Sequence, residues 1–307
     1  MKLLEKTCRA ALVQGTPVLF DREATIEKVV EQIQEAAANG ARLIVFPESY
    51  VPCYPYGMTF GFTVGSRTEA GREDWKRYYD NSVLVPGPDT DRVARAAQEA
   101  GVYVSLGVTE RDAVTCTLYC TNLIFSPEGT LAAHHRKLKP TGAERCIWGD
   151  GNLGAFPVAE TPWGAMGSLI CWENYMPLAR AALYQKGVAL YLAPNTNNNQ
   201  EWQDTIRHIA IEGHCYVFNV NQYVTREMYP GDLHCPEELE RLPRGVCTGG
   251  SCVVDPFGHY LTEPVWDQEA ILYADLDMDQ VPRSRMEFDA AGHYSRPDVL
   301  ELVIHED

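Results

Sequence analysis

The chain has 307 residues, 45% of them hydrophobic, which is enough to bury a substantial core, and its length suits one large α/β domain over residues 1–307. Acids outnumber bases 42 to 26, giving a net charge of -16 that argues against a nucleic-acid footprint and against binding anionic membranes. No stretch approaches the ~20 apolar residues of a membrane-spanning helix, and residues 1–7 lack the apolar run of a signal peptide, so a cytoplasmic protein acting on a small molecule that is not a polyanion is expected.

In chain order, residues 10–14 read as a strand. Residues 25–39 read as a helix, because Ile26, Val29, Val30 and Ile33 keep a 3.6-residue spacing until Gly40 stops it. A strand follows at 43–46, then a helix at 92–100 ended by Gly101, then a strand at 102–108. The turn Ser126-Pro-Glu-Gly129 folds one strand back onto an antiparallel neighbour. The alternation resumes with a strand over 165–171, a helix over 177–186, a strand over 188–192, a helix over 201–213 and a strand over 215–220. Residues 249–258 with 270–275 echo the pattern of 122–129, which implies two similar halves. Short Pro, Gly and Ser clusters punctuate these runs as turns, and none reads as a linker. Periodicity by itself stops at an α/β fold, since it does not separate a doubly wound sheet from two stacked sheets.

Three of the strand ends carry reactive groups. In Gly167-Ser-Leu-Ile-Cys171-Trp-Glu-Asn-Tyr-Met-Pro177 an apolar run delivers a thiol where the chain leaves the core, and a thiol needs only a nearby base or cation to become a nucleophile. In Ala41-Arg-Leu-Ile-Val-Phe-Pro-Glu48 the same pattern delivers a carboxylate, and in Ala132-Ala-His-His-Arg-Lys137 it delivers an ammonium. Taken singly, Glu48 and Lys137 read as solvated surface charges and Cys171 as a core cysteine. Acid, base and thiol at three strand ends together read as a site.

With those residues in place, the chain resembles the nitrilase superfamily of carbon-nitrogen hydrolases. Phe46-Pro-Glu48, His135-Arg-Lys137-Leu-Lys-Pro-Thr141 and Cys171-Trp-Glu-Asn-Tyr-Met-Pro177 match its three motifs in order, and the likeness runs from Arg9-Ala-Ala-Leu-Val-Gln14 to His293-Tyr-Ser-Arg-Pro297. Cys-Trp-Glu-Asn and Arg-Lys-Leu-Lys-Pro-Thr resemble the nitrile-hydrolysing branch; amidase and carbamoylase branches more often place Tyr or another residue and then Asp after the cysteine. The resemblance implies a four-layer α-β-β-α sandwich of two mixed sheets with helices outside. It implies hydrolysis of a small nitrile to acid and ammonia, no cofactor, and a homodimer or larger assembly through helices near the nucleophile, for which residues 178–183 offer an apolar face. It also implies roles: Cys171 attacks the nitrile carbon, Glu48 moves protons, Lys137 steadies the developing charge, and Glu144 holds Lys137 and the substrate. The peptide N–H of Trp172 is a further donor. The rival activity is an amidase or carbamoylase using the same triad.

Other residues stay open between two readings. Glu173 reads equally as a contact to the nucleophile and as a salt bridge fixing its loop. Asn195, in Asn195-Thr-Asn-Asn-Asn-Gln-Glu-Trp202, lies where the family lines its pocket, although its composition is that of any turn. Tyr54, Trp172 and Trp202 are the expected aromatic pocket wall. His208 and Glu212, four apart, read as a paired helix face. The ten cysteines include no Cys-x-x-Cys pair, so Cys116 and Cys120 read as core packing rather than as a metal site, and His134 and His135, adjacent on a strand, point to opposite faces and do not share an ion.

Overall fold

A strand buried on both faces needs apolar residues at successive positions, and residues 10–13 of the first strand, β1 (Thr7–Gln14), meet that need: Ala10 and Leu12 enter one core while Ala11 and Val13 enter another. The computed structural model describes residues 4–151 and 156–305. After β1 come α1 (Arg22–Ala38), β2 (Leu43–Val45), α2 (Glu69–Asp80), β3 (Val83–Leu84), α3 (Pro88–Ala100), β4 (Tyr103–Arg111), β5 (Leu118–Phe125) and β6 (Leu131–Arg136). The second half runs β7 (Val158–Thr161), β8 (Gly164–Ser168), α4 (Pro177–Gln185), β9 (Val188–Pro194), α5 (Gln200–Gly213), β10 (Tyr216–Val220), β11 (Tyr223–Thr225), α6 (Pro236–Glu240), β12 (Gly245–Val254), β13 (Tyr260–Trp266), β14 (Ala270–Asp277) and α7 (Gln280–Arg285).

Among the described residues the strands form two seven-stranded mixed sheets. The first has the order β14-β1-β2-β4-β5-β6, with β3 beside β4; the second has β11-β12-β10-β9-β8-β7, with β13 beside β12. Their inner faces share one core, where Leu12, Leu43 and Val45 of the first sheet meet Leu190, Leu192 and Phe218 of the second. Ile26, Val29 and Ile33 of α1 and Val93 of α3 cover the outside of the first sheet. Leu183 of α4 and Ile206 and Ile209 of α5 cover the outside of the second. The result is the expected four-layer sandwich. The two halves are not sealed units, because β14 crosses back to pair antiparallel with the whole of β1, from Thr7 opposite Asp277 to Gln14 opposite Ala270.

Local differences from the sequence reading have local causes. Helix α1 starts at Arg22 rather than Thr25, because the Asp21 side chain caps it by accepting from the Ala24 N–H. Helix α2, capped by Thr68, falls where no apolar period was read: it buries Gly71, Asp74 and Tyr78 and leaves a charged remainder. The strand expected over 165–171 ends at Ser168, and Cys171 opens a single tight turn, Cys171–Tyr175, from a left-handed backbone position (φ 51°). Left-handed conformations in non-glycine residues persist where surrounding packing holds them, and they concentrate at functional sites.

A close approach positions the turn after β2. Gly107 of β4 accepts from the N–H groups of Tyr50 and Val51, and a Cβ at that position would lie 2.1 Å from the Pro47 carbonyl oxygen and 2.8 Å from the Glu48 Cα. Gly107→Ala is therefore expected to lower unfolding stability by about 1–3 kcal/mol through overpacking. Gly231→Ala, whose added carbon meets nothing within 4 Å, leaves stability unchanged or slightly raised. Denaturant titration of the two variants beside the parent checks both signs.

Candidate active site

Both sheets point strand ends toward the same end of the sandwich. From the first sheet, Glu48 follows β2 and Lys137 follows β6; from the second, Cys171 follows β8 and residues 195–197 follow β9. Lys137 and Glu48 are buried, which an amine and a carboxylate tolerate only when paired. The Lys137 Nζ donates to Glu48 Oε1 at 2.7 Å and to Glu144 Oε2 at 2.8 Å. Glu144 sits in the short turn Gly142–Cys146, where its Oε2 also accepts from the Thr141 N–H and its Oε1 accepts from the Tyr54 hydroxyl at 2.7 Å. The Gln222 side chain donates to the Glu48 carbonyl and holds that turn from the second sheet.

The charges set one another's protonation. Burial pushes the Glu48 carboxyl up and Lys137 only partly offsets it, so Glu48 lies above the ordinary carboxylate range. Burial pulls the Lys137 ammonium down, but Glu48 and its other anionic neighbours outweigh that and hold it well above an ordinary lysine. Cys171 is pushed up by burial and by Glu48, so it rests as a neutral thiol beside a carboxylate and an ammonium. A neutral thiol beside a carboxylate of raised pKa has the chemistry to be deprotonated into a nucleophile.

The structure brings Glu48, Lys137, Glu144, Tyr54 and Cys171 together, and it separates the other expected pocket residues. Trp172 follows the thiol, is 49% exposed, and donates from its indole nitrogen to Asn197 Oδ1. Trp202 does not form a pocket wall: it is fully buried, donates to Asn219 Oδ1 and packs edge-on behind Tyr175 of the nucleophile's turn. Asn195 is likewise not free for substrate, because its side chain donates to Ala193 O and Asn219 Oδ1 and accepts from the Asn197 N–H. The groups that do face the thiol are its neighbours: the Thr196 backbone N–H, and Asn197, whose Nδ2 lies 3.7 Å from Cys171 Sγ. The thiol, expected where the chain leaves the core, is itself buried.

Sequence reasoning missed the role of one further member, Cys120, and left Glu173 open between two readings, of which the structure shows the ion pair that fixes the loop. Cys120, read as core packing, donates its thiol to Glu48 Oε1 at 3.4 Å; its place as the third residue of β5, beside Lys137, was the available signal, since the Lys137 N–H bonds to the Cys120 carbonyl. Glu173 does not touch the nucleophile's sulfur; it bonds backbone groups on both sides of the site and the ring of His135. His134 faces the other way, onto Glu110, as adjacent strand positions require. His208 and Glu212 do belong to a paired helix face, which Arg180 and Tyr184 of α4 complete. Among the described residues no three His, Cys, Asp or Glu are grouped as a metal ion would need.

The family model for carbon-nitrogen hydrolases matches residues 9–286 of this chain. An aliphatic nitrilase of Sinorhizobium fredii is 49% identical over 300 residues, covering 97% of this chain and 96% of that protein. Nitrilase 2 of Arabidopsis thaliana is 44% identical, covering 97% and 88%, and a bifunctional nitrilase/nitrile hydratase of Lupinus angustifolius is 44% identical, covering 98% and 86%. Among solved structures, Nit3 of Saccharomyces cerevisiae superposes with a TM-score of 0.73 at 21% identity over 96% of this chain and 99% of that one, a likeness of fold.

Removing the central cation strands two buried carboxylates. Lys137→Met is expected to lower unfolding stability by about 3–5 kcal/mol, and adding Glu144→Gln recovers part of that loss by deleting one of the stranded charges. Without Lys137 the folded-state pKa of Glu48 rises further above its unfolded value, so the penalty is full at neutral pH and shrinks as falling pH protonates it. Denaturant midpoints of the single and double variants at pH 7 and pH 5 check the sign.

Proposed function

The chain belongs to the carbon-nitrogen hydrolase family, and we propose that within it the protein is a nitrilase, converting an organic nitrile to the carboxylic acid and ammonia. The observation that carries this reading is the near full-length 49% identity to an aliphatic nitrilase, joined to a buried thiol close to a carboxylate-ammonium-carboxylate set.

The chemistry follows from the charges. Glu48 takes the Cys171 proton as sulfur bonds to the nitrile carbon; the Lys137 ammonium and the Asn197 amide stabilise charge as it develops on nitrogen, and Glu48 passes the thiol proton to that nitrogen, giving a thioimidate and restoring the carboxylate. Glu48 then takes a proton from water as its oxygen adds to the same carbon, and passes that proton to the nitrogen; the hydroxyl proton of the tetrahedral centre follows through Glu48 as the C–N bond breaks, ammonia leaves and a thioester remains. A second water adds in the same way, the C–S bond breaks, and the acid departs with the thiol restored. Breaking C–S rather than C–N at the first tetrahedral centre would release the amide, so donors near nitrogen decide the product. Glu144 holds the ammonium against Glu48 and takes no proton.

A cavity of about 250 Å³ opens beside Glu144, walled by Tyr54, Met58, Ile147 and Trp148. Its apolar walls suit an uncharged, apolar group on the nitrile carbon. The ten cysteines are free thiols, which fits a reducing cytoplasm, and among the described residues no helix is long and apolar enough to cross a membrane. We read the chain as a single domain that pairs with a second copy. Of the residues expected on the pairing face only the start of α4 is available: Leu178 is 68% exposed beside exposed Tyr175 and Met176, whereas Ala179 and Leu183 are core. Light scattering that detects only single chains at micromolar concentration contradicts the pairing.

Two kinetic outcomes test the mechanism. A panel of aliphatic and aromatic nitriles and the matching amides, followed by ammonia release, is expected to show turnover of nitriles; consumption of amides alone assigns the protein to the amidase branch. Cys171→Ala abolishes that turnover with the fold intact, and Glu48→Gln leaves a substrate-sized mass increase on Cys171 alone. Because Glu48 must be ionised to take the thiol proton and its pKa is raised, kcat/KM rises with pH through a limb above the ordinary 4.5. Cys120→Ser, whose hydroxyl is a stronger donor to the carboxylate, moves that limb to lower pH; a limb that stays put removes Cys120 from the site.

A further inference from the structure

The mechanism uses Glu48, Lys137, Glu144 and Cys171 and leaves a fully buried carboxylate, Glu173, without a part. Its Oε1 accepts from the Leu138 N–H at 2.7 Å and its Oε2 from the Ile170 N–H at 2.7 Å. His135 Nε2 donates between the two oxygens, at 3.2 and 3.0 Å. Leu138 is the neighbour of Lys137 and Ile170 is the neighbour of Cys171. One side chain therefore clamps the exit of β6 in the first sheet to the exit of β8 in the second. Asn174, in the same turn, braces only its own loop by donating to the Leu169 and Cys171 carbonyls.

We propose that Glu173 is a positioning residue, a strap across the two sheets that sets the distance and angle between the Lys137 ammonium and the Cys171 sulfur. The proposal rests on the nitrilase reading for its assay only; the clamp is a matter of geometry. Three N–H donors converge on this carboxyl, and only a group with two acceptor-only oxygens satisfies all three. Burial pushes its carboxyl up, but His135 and the two backbone N–H groups outweigh that and keep it below the ordinary carboxylate range, hence ionised. Glutamine turns an NH2 toward one of the backbone N–H groups and gives up one arm of the strap; aspartate, a methylene shorter, does not span both. Since the thiol and the ammonium ride on separate sheets, a lost arm lets one slide against the other, and a shift of about 1 Å between reacting groups costs about a hundredfold in rate.

The test compares the parent with Glu173→Gln and His135→Gln, normalising rates to the folded fraction from circular dichroism. For Glu173→Gln, kcat on a nitrile falls about a hundredfold while KM stays close to the parent value, and the rising limb of the pH–rate profile set by Glu48 stays in place, because Glu173 carries no proton. His135→Gln keeps both backbone arms and shows a smaller loss of the same kind. A folded Glu173→Gln with parental kcat overturns the proposal, as does a moved pH limb, which makes Glu173 a proton carrier, or a raised KM at unchanged kcat, which makes it a substrate contact. If Glu173→Gln does not fold, His135→Gln decides: reduced kcat at parental KM supports the strap, and parental kcat overturns it. A parent enzyme that consumes amides and no nitriles sinks the nitrilase reading, and the same comparisons on amide turnover then judge the strap alone.

Discussion

A lysine ammonium buried between two carboxylates is the interaction around which this protein is arranged. Lys137 satisfies Glu48 and Glu144, and neither acid tolerates burial without it. Burial, and after it the charge of Glu48, keeps the neighbouring thiol protonated, so a neutral thiol rests beside the ion-paired carboxylate. Stability and reactivity thus rest on the same contacts. The groups that brace them, Tyr54 on Glu144, Gln222 on the Glu48 backbone and Cys120 on Glu48, come from separate segments of the chain.

The four-layer architecture delivers that arrangement because its two sheets press together through a shared apolar face while their strand ends stay polar. The carboxylate and the ammonium belong to one sheet and the thiol to the other, so the site exists only at the seam. Seam geometry is fixed by rigid devices: the bare Gly107 against the Pro47 carbonyl, the left-handed backbone of Cys171, and a buried carboxylate bonded to both loops. Flexible loops would place these groups less sharply than strand ends do.

Much of this was legible in the sequence, and the unread part has a common cause. The periodic run 25–39 and the apolar strands over 43–46 and 188–192 appear as elements of the type read, with ends displaced by one to three residues, because burial on one or both faces writes itself into residue type. The grouping of Glu48, Lys137 and Cys171 was legible because three strands ended in polar residues that a core does not need. Trp202 and Asn195 were misplaced because composition shows that a residue is aromatic or polar and does not show whether its hydrogen bonds are spent inside the core. Cys120 was passed over for the converse reason: a thiol on an apolar strand looks like packing until the partner across the fold is known. Helix α2 escaped because it buries only a narrow stripe.

The pairing of the last strand with the first has a consequence for the order in which the molecule comes into being. A nascent chain that has emerged as far as residue 200 already carries Glu48, Lys137, Glu144 and Cys171, yet β1 still lacks the neighbour that only residues 270–277 supply. Closing a loop of that length is slow, and the first sheet keeps an open edge until residues 270–277 have been made. Strand β14 thereby closes the first sheet late: a fragment released before it holds every group of the site and lacks the finished sheet that presses them into register.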